Sequence, residues 1–179
     1  ARRQRQMCIR DSTSGVDIIA AYKIPLNFRW VSKREVFRIP FFGPMLLVHG
    51  DIPIERGNAA AAMAKVVHQG KIWLGRGASV AIFPEGTRSK DGEIHRFKAG
   101  AFTLAKEAGV EILPVVMTGT ATMFRGWRMN WTNRIRIRVL PPVSVEEAAS
   151  MEIKELAQTV QERMTTALAE LRGEEAKRG

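Results

Sequence analysis

The stretch Phe83-Pro84-Glu85-Gly86-Thr87-Arg88-Ser89 directly follows a short apolar run, Ala78-Ser79-Val80-Ala81-Ile82. The run is too short for a helix and predicts a buried strand. Pro84 ends this strand, because proline has no N–H to donate to a neighbouring strand. The loop after it holds a carboxylate, a glycine, two hydroxyls and a guanidinium. Such a loop at the carboxyl end of a strand is typical of an anion site in an α/β sheet, and a polar surface loop is the alternative.

Strand and helix patterns alternate along the rest of the chain. Further strand patterns are found at residues 28–32, 46–54, 112–117 and 134–139. Helical patterns follow the capping residue Asn58, cover residues 97–108, and return in an amphipathic segment at residues 144–171 that Ser144 caps. This alternation predicts a single α/β domain with a largely parallel central sheet flanked by helices and with an amphipathic C-terminal helix.

The composition narrows the class of protein. The chain has 179 residues, of which 45% are hydrophobic and 26% charged, and this suits one globular domain. Its single cysteine favours a reducing compartment, and three scattered histidines predict no metal site. The net charge of +10 fits an anionic membrane, an anionic substrate or nucleic acid. Because aromatic residues are not interleaved with the basic ones, nucleic acid is not expected as a partner.

Several stretches resemble the motif blocks of one enzyme family. FPEGTRS at 83–89 is similar to the signature of the glycerophosphate acyltransferases, in particular the 1-acylglycerol-3-phosphate (lysophosphatidate) acyltransferases. Four further stretches resemble the family's blocks on either side of the signature: KREVFRIPFFG at 33–43, IER at 54–56, RFKAGAF at 96–102 and LPVVMTG at 113–119. The resemblance runs in the family's order from about Thr13 to about Pro142.

The resemblance implies a glycerophosphate acyltransferase-like fold and the activity of this family. The expected reaction moves a fatty acyl group from acyl-CoA or acyl-ACP, without another cofactor, to the sn-2 hydroxyl of 1-acylglycerol-3-phosphate and gives phosphatidate. Expected partners are the lysophospholipid, the acyl donor, acyl carrier protein and a membrane surface. The alternatives are an acyltransferase for another acceptor (glycerol-3-phosphate, another lysophospholipid or a lyso-ornithine lipid) and a non-catalytic domain that binds lipid phosphate.

The family's catalytic block, Asn-His-x-Ser-x-x-Asp, is altered in this chain. TSGVDII at 13–19 resembles its tail, so Asp17 stands at the position of the family's aspartate. Asp11 then stands at the position of the asparagine, and Ser12 at that of the catalytic histidine. A serine hydroxyl is not basic near neutral pH, so we expect Ser12 to slow acyl transfer by about 10²–10⁴-fold, the usual contribution of a general base.

The other blocks supply the expected phosphate- and substrate-binding residues. By resemblance these are Lys33, Arg56, Glu85, Gly86, Thr87, Arg88 and Lys98. Arg56 and Arg88 are the best candidates for the phosphate, whereas Lys98 could equally be a solvated surface charge. Glu85 is expected to orient the site rather than act as an acid. Backbone N–H groups around Gly86 could serve the phosphate or the developing oxyanion.

Residues 1–12, ARRQRQMCIRDS, differ from the rest in their pattern. They show neither helical nor strand periodicity, and they resemble translated adapter read-through at the end of a sequence fragment. We therefore expect a non-native leader, and a native basic arm that contacts phosphates is the alternative. The acyltransferase domain is then 13–179, with a motif-bearing core at 13–142 and a C-terminal helix at 144–171.

Aromatic residues near the motifs leave two interpretations open. Phe37, Phe41 and Phe42 either line an acyl groove or belong to the core, and the core is expected. Trp127 and Trp131 either dip into a membrane interface or pack inside, and packing is expected. No uninterrupted apolar stretch reaches the roughly 20 residues that cross a bilayer. We expect a protein that lies on a membrane, at the cytoplasmic face of a bacterial inner membrane.

Overall fold

The computed structural model describes residues 5–9, 24–55, 57–86, 93–119, 124–125, 128–129 and 135–177. Within these ranges the strands are β1 (Arg5–Ile9), β2 (Phe28–Lys33), β3 (Ile52–Ile54), β4 (Ser79–Ile82), β5 (Glu111–Thr118), β6 (Phe124–Arg125), β7 (Arg128–Met129) and β8 (Arg136–Val139). The α-helices are α1 (Phe42–His49), α2 (Ala59–Gly75), α3 (Thr103–Ala108), α4 (Val145–Ser150) and α5 (Ile153–Ala176). Short 3-10 helices cover Arg34–Arg38 and Ala99–Phe102.

Six strands of the described ranges form one mixed sheet in the order β3-β2-β4-β1-β5-β8. The first five are parallel to one another, and β8 is antiparallel to β5. The carboxyl ends of β2 and β4, at Lys33 and Ile82, therefore lie at the same edge of the sheet, where open α/β sheets bind their ligands. The predicted α/β fold with a largely parallel sheet, flanking helices and a C-terminal helix is confirmed.

The central strand β1 corrects the prediction for residues 1–12. Arg5–Ile9 lies between β4 and β5 and is parallel to both. Met7, Cys8 and Ile9 are fully buried. The expectation that this segment stands outside the fold is therefore wrong. The sequence pattern did not reveal the strand, because a strand covered on both faces shows no alternation of polar and apolar residues. Its non-native origin stays a prediction.

Apolar side chains cover both faces of the sheet. One face packs against α2, α3 and α5 through the buried side chains of Val66, Leu104 and Val160. On the other face the rings of Trp30 and Phe83 stack with 4.9 Å between their centroids. Since Phe83 begins the FPEGTRS stretch, this stacking holds the start of the signature loop against the core.

Residues 42–49 form helix α1, where the sequence predicts a strand beginning at residue 46. Pro44 lies in the first turn of the helix, where its missing N–H needs no partner. Gly50 ends the helix in the left-handed conformation, with φ +86°. The run at 45–48 is apolar without a period, so its pattern could not separate a helix from a strand. Only β3 is a strand within the predicted range of 46–54.

Helix α1 and the residues just before it present apolar side chains to solvent. We call this set the apolar edge surface; its members are Ile39, Phe41, Met45, Leu47 and Val48. Phe41 is 94% exposed and Val48 is 90% exposed. Phe41 also has a φ of +65°, which strains any residue other than glycine. Neither α1 nor any other helix in the described ranges is long and apolar enough to cross a membrane.

The predicted C-terminal helix consists of two helices. Ser144 Oγ accepts a hydrogen bond from the backbone N–H of Glu147 over 3.1 Å and caps α4 as predicted. Extended backbone at Met151 and Glu152 separates α4 from α5, although no glycine or proline marks the break. The sequence predicts an apolar stripe at Ile153, Leu156, Val160, Met164 and Leu168 of α5. The last four of these are buried, and Ile153 is half-buried. The amphipathic pattern is therefore confirmed, but the pattern does not predict the break between α4 and α5.

Candidate functional site

The FPEGTRS stretch begins as a tight turn at the carboxyl end of β4. The backbone N–H of Gly86 donates a hydrogen bond to the carbonyl oxygen of Phe83 over 3.2 Å. Gly86 has a φ of +68°, in the left-handed region that favours glycine. The turn thus leaves the sheet at the edge where its parallel strands end, which is the place that the sequence predicts.

Lys98 lies directly over this turn. Its backbone N–H donates a hydrogen bond to the carbonyl oxygen of Pro84 over 2.9 Å. A β-carbon built on Gly86 would lie only 2.7 Å from Lys98 Nζ. The backbone conformation therefore favours glycine at position 86, and a side chain added there would have to displace the end of the Lys98 side chain. The structure brings together two residues that the sequence assigned to the same binding site.

Glu85 is buried beside the turn and is only 3% exposed. Its Oε2 accepts a hydrogen bond from the backbone N–H of His95 over 3.4 Å. This bond joins the turn to the segment that leads to Lys98. A buried carboxylate that binds backbone N–H groups holds a loop in place, so the geometry fits the positioning role predicted for Glu85.

A largely apolar cavity of about 500 Å³ lies beside Gly86 and Lys98. Its apolar walls come from β2, β3, β4 and α2 and include Val31, Ile54, Met63, Val66, Ile82 and Phe83. Lys33 lines the cavity as well, so Lys33, Gly86 and Lys98 share one site. The volume and the apolar lining are typical of a pocket for a small ligand.

The lining of this cavity is positively charged. Lys33 and Lys98 both belong to it. Glu55 is the one carboxylate among the described lining residues, and it forms an ion pair with Arg34. An apolar cavity with a positive lining suits an amphiphile that carries both a hydrocarbon chain and an anionic group.

Small residues make the room for the cavity, a role that none of the sequence motifs predicts. Ala59 and Ala62 line it from α2, and Gly100 and Ala101 line it from the 3-10 helix. A β-carbon on Gly100 would lie 3.1 Å from Met63 Cε, so the two sides approach closely. The available signal was the run of four alanines at 59–62, where α2 begins.

Other predicted site residues lie outside the described residues. They are Ser12, Asp17, Arg56, Thr87 and Arg88, and their roles stay predictions. Trp127 and Trp131 lie outside as well. Glu55 and Gly57, which flank Arg56 in the sequence, both line the cavity.

The phenylalanines of the second motif block have different surroundings. Phe37 is buried, as the core interpretation predicts. Phe41 is almost fully exposed, so the core interpretation is wrong for this residue. The side chain of Phe42 lies outside the described part of the chain. Neither Phe37 nor Phe41 lines the apolar cavity, whose described walls come from other residues.

Comparison with known proteins gives a match at the level of the family. The sequence model of the Acyltransferase family matches residues 5–118. The 1-acyl-sn-glycerol-3-phosphate acyltransferase of Salmonella typhimurium is 36% identical over 148 residues, which cover 83% of this chain and 60% of that protein. The Escherichia coli protein of the same name is 33% identical over the same shares of both chains. This chain thus spans about 60% of the length of these two relatives.

A solved structure shows the same architecture. The crystal structure of PlsC, the 1-acyl-sn-glycerophosphate acyltransferase of Thermotoga maritima, matches with a TM-score of 0.75 and 25% identity. The match covers 95% of this chain and 67% of that chain. The family match extends over more than half of the sequence and includes the turn at Gly86 and both lysines of the cavity. This chain therefore belongs to the acyltransferase family.

Proposed function

We propose that this protein is an O-acyltransferase that moves a fatty acyl group from acyl-CoA or acyl-ACP to the sn-2 hydroxyl of 1-acylglycerol-3-phosphate, which gives phosphatidate. The observation that carries the proposal is the apolar cavity of about 500 Å³ that Lys33 and Lys98 line beside the FPEGTRS turn. The names of the Salmonella and Escherichia coli relatives support the same acceptor.

The cavity meets two requirements of this substrate pair. Its apolar walls remove the acyl chain of the donor from water, which contributes about 0.8 kcal/mol for each buried CH₂ group. Its lysines donate charge-assisted hydrogen bonds to phosphate oxygens. In the proposal Lys33 and Lys98 hold the lipid phosphate together with Arg56 and Arg88, the two arginines that resemble the family's phosphate-binding residues.

The transfer step needs a base for the acceptor hydroxyl. The base takes the proton while the sn-2 oxygen attacks the thioester carbonyl carbon, so that a C–O bond forms and the C–S bond breaks. The proton then passes to the thiolate that leaves with the carrier. Asp17 is proposed to orient a histidine at position 12, as the aspartate of a catalytic triad orients its imidazole. With Ser12 in that position, we expect the chain to bind its substrates and to react slowly.

The test restores the family's catalytic block. The double substitution Asp11→Asn and Ser12→His should raise acyl transfer to lysophosphatidate by about 10²–10⁴-fold. The assay compares palmitoyl-CoA with palmitoyl-ACP as donors, and lysophosphatidate with glycerol-3-phosphate, lysophosphatidylcholine and a lyso-ornithine lipid as acceptors. Adding Asp17→Asn to the restored variant is the control and should remove most of the gain.

Each outcome of this assay has a clear meaning. Faster transfer to another acceptor would replace lysophosphatidate in the proposal. No gain in rate, combined with retained binding of lysophosphatidate, would favour a domain that only binds lipid phosphate. A gain that survives Asp17→Asn would remove Asp17 from its proposed role.

The protein is further proposed to act on a membrane, at the cytoplasmic face of a bacterial inner membrane, through the apolar edge surface. Five exposed apolar side chains within residues 39–48 form this surface. A helix that is apolar all round is usually found in a protein core or in a membrane. The net charge of +10 favours anionic lipids, since basic proteins are attracted to the negative surface of such bilayers.

Vesicle sedimentation tests this surface directly. The variants Phe41→Ser and Val48→Ser should each lower the fraction bound to phosphatidylcholine vesicles that contain phosphatidylglycerol, because each removes a large apolar group from the contact. Ile72→Ser on α2 is the matched control, because Ile72 is also exposed, by 42%, but lies outside the edge surface. Unchanged binding of the edge variants would contradict the proposal. Self-association in solution that these variants abolish would also contradict the proposal, because the edge surface would then bind a second copy of the chain and not a membrane.

A further inference from the structure

A second groove, of about 830 Å³, lies between residues 96–99 and helix α5. The segment contributes Arg96 and Lys98, and the helix contributes Lys154, Gln158, Gln161 and Glu162. We call this feature the basic groove. It differs from the apolar cavity because six of the nine described residues that line it carry a charged group or an amide.

The two walls of the basic groove are joined to each other. The backbone N–H of Phe97 donates a hydrogen bond to Gln161 Oε1 over 3.1 Å. The ring of Phe97 is buried and packs near Phe102, with 6.2 Å between the ring centroids. Arg96 and Lys98, on either side of Phe97, are therefore held at a defined place beside α5. Because this wall is already ordered, a ligand can bind to it without the entropy cost of ordering the segment first.

The lining of the basic groove has a net positive charge. In the part of the chain that the structure describes, none of Arg96, Lys98 and Lys154 forms a salt bridge. By contrast, Arg138 near the C-terminal helix is paired with both Glu170 and Glu174. The one carboxylate in the described lining, Glu162, accepts a hydrogen bond from Gln158 over 2.9 Å. Three cations against one carboxylate favour an anionic ligand.

The basic groove and the apolar cavity share a wall. Lys98 lines both, and the residues that follow it, Gly100 and Ala101, line the apolar cavity. A ligand with a hydrocarbon chain at one end and an anionic group at the other could therefore occupy the two spaces at once. In the proposed reaction the acyl donor is such a molecule.

We infer that the basic groove binds the phosphate-bearing pantetheine arm of the acyl donor. The inference rests on the proposed acyl transfer and names a second subsite for it. In both candidate donors the acyl chain is a thioester of pantetheine, and the far end of the pantetheine carries a phosphate. Arg96 and Lys154 contact this phosphate, while Gln158 and Gln161 offer amide groups to the polar middle of the arm. The groove thus recognises the chemistry that coenzyme A and acyl carrier protein share.

Binding of the carrier without an acyl chain tests this inference without any turnover. Titration calorimetry of the chain with Ser12 in place uses coenzyme A, 4′-phosphopantetheine, pantetheine and holo acyl carrier protein as probes. We expect coenzyme A, phosphopantetheine and the holo carrier to bind, and pantetheine to bind more weakly by about tenfold or more, since it lacks the phosphate. The double substitution Arg96→Ala and Lys154→Ala should weaken the phosphate-bearing probes by about tenfold or more and leave pantetheine unchanged.

A matched control separates the groove from the overall charge. Arg38→Ala with Lys65→Ala removes the same charge from two exposed side chains that do not line the groove, and it should leave all four affinities unchanged. An equal loss in the control would overturn the inference, as would equal binding of pantetheine and phosphopantetheine. A loss for the holo carrier protein alone would also overturn it, because the groove would then contact the carrier's protein surface. Acyl transfer by the restored variant with an unchanged donor KM after the groove substitutions would refute the subsite and leave the proposed function intact.

Discussion

The backbone N–H of Lys98 donates a hydrogen bond to the carbonyl oxygen of Pro84 over 2.9 Å. This bond joins the turn after β4 to the segment before α3. It also brings the Lys98 side chain over Gly86, at the wall that the apolar cavity and the basic groove share. The proposed lipid and donor subsites therefore both depend on this one contact between distant parts of the chain.

Replacing Gly86 with alanine should displace Lys98 and weaken the binding of lysophosphatidate. The added β-carbon would lie 2.7 Å from Lys98 Nζ, and the φ of +68° adds about 1 kcal/mol of backbone strain. Gly109→Ala is the matched control, because Gly109 has a φ of +60° and a β-carbon added there would have no atom within 4 Å. Both variants should lose similar stability in thermal unfolding, and only Gly86→Ala should lose lipid binding. Equal lipid affinity in the two variants would show that the lysine is not needed.

Enlarging a side chain in the apolar cavity should shift the preference towards shorter acyl chains. Ala62 lines the cavity, so Ala62→Leu fills part of its volume of about 500 Å³. Ala61→Leu changes an exposed neighbour on the same helix by the same amount and should leave the preference unchanged. The measurement is the transfer rate of the restored variant with acyl-CoA donors of graded length. Identical length profiles for the two substitutions would place the acyl chain elsewhere.

The folded protein should lose stability at alkaline pH through Cys8. Burial raises the pKa of the Cys8 thiol from 9.0 to about 12, the hydrogen bond from Gln6 opposing only part of this shift. Above pH 9 the unfolded thiol loses its proton while the folded thiol keeps it, so each pH unit towards 12 favours unfolding by up to about 1.4 kcal/mol. Below pH 9 this group has no effect. Urea unfolding at several pH values should show that the free energy of unfolding falls more steeply above pH 9 in the protein with Cys8 than in Cys8→Ala. Equal slopes in the two proteins would mean that β1 does not bury the thiol.

Two glycines in helices should respond to alanine with opposite signs. A β-carbon on Gly70 in α2 would lie 2.6 Å from Leu104 Cδ2 in the core, and such overpacking costs about 1–3 kcal/mol. A β-carbon on Gly173 in α5 would have no atom within 4 Å, so Gly173→Ala should stabilise the helix by up to about 1 kcal/mol. Chemical unfolding measures both. Stabilisation by Gly70→Ala would contradict the close contact between α2 and α3.

Features with a local cause agree between sequence and structure. Asn58 Oδ1 accepts a hydrogen bond from the backbone N–H of Ala61 over 2.9 Å and caps α2, and Ser144 caps α4. Gly109, which directly follows the helix predicted at 97–108, ends α3 in the left-handed conformation. Each depends on the conformational preference or the side chain of one residue near a helix end. The same holds for the turn at Gly86.

Features that depend on neighbours from elsewhere in the chain were missed. Arg5–Ile9 is a strand because β4 and β5 pair with it on both sides, and nothing in those five residues alone indicates this. Residues 45–49 are as apolar as a buried strand, but they form the C-terminal part of helix α1. The break at Met151 and Glu152 likewise carries no glycine or proline signal.

The sequence by itself determined the family blocks, the alternation of strands and helices, and the residues from which a phosphate site is expected, because these reside in short stretches with their own chemistry. Only the tertiary structure decided that Lys98 meets Gly86 and that small residues of α2 and of residues 99–102 leave an apolar cavity. It also decided that Arg96 and Lys98 lie beside Lys154 of α5. Those features arise where distant segments pack together. The distance between two such segments is set by the whole core, and no local pattern of residues records it.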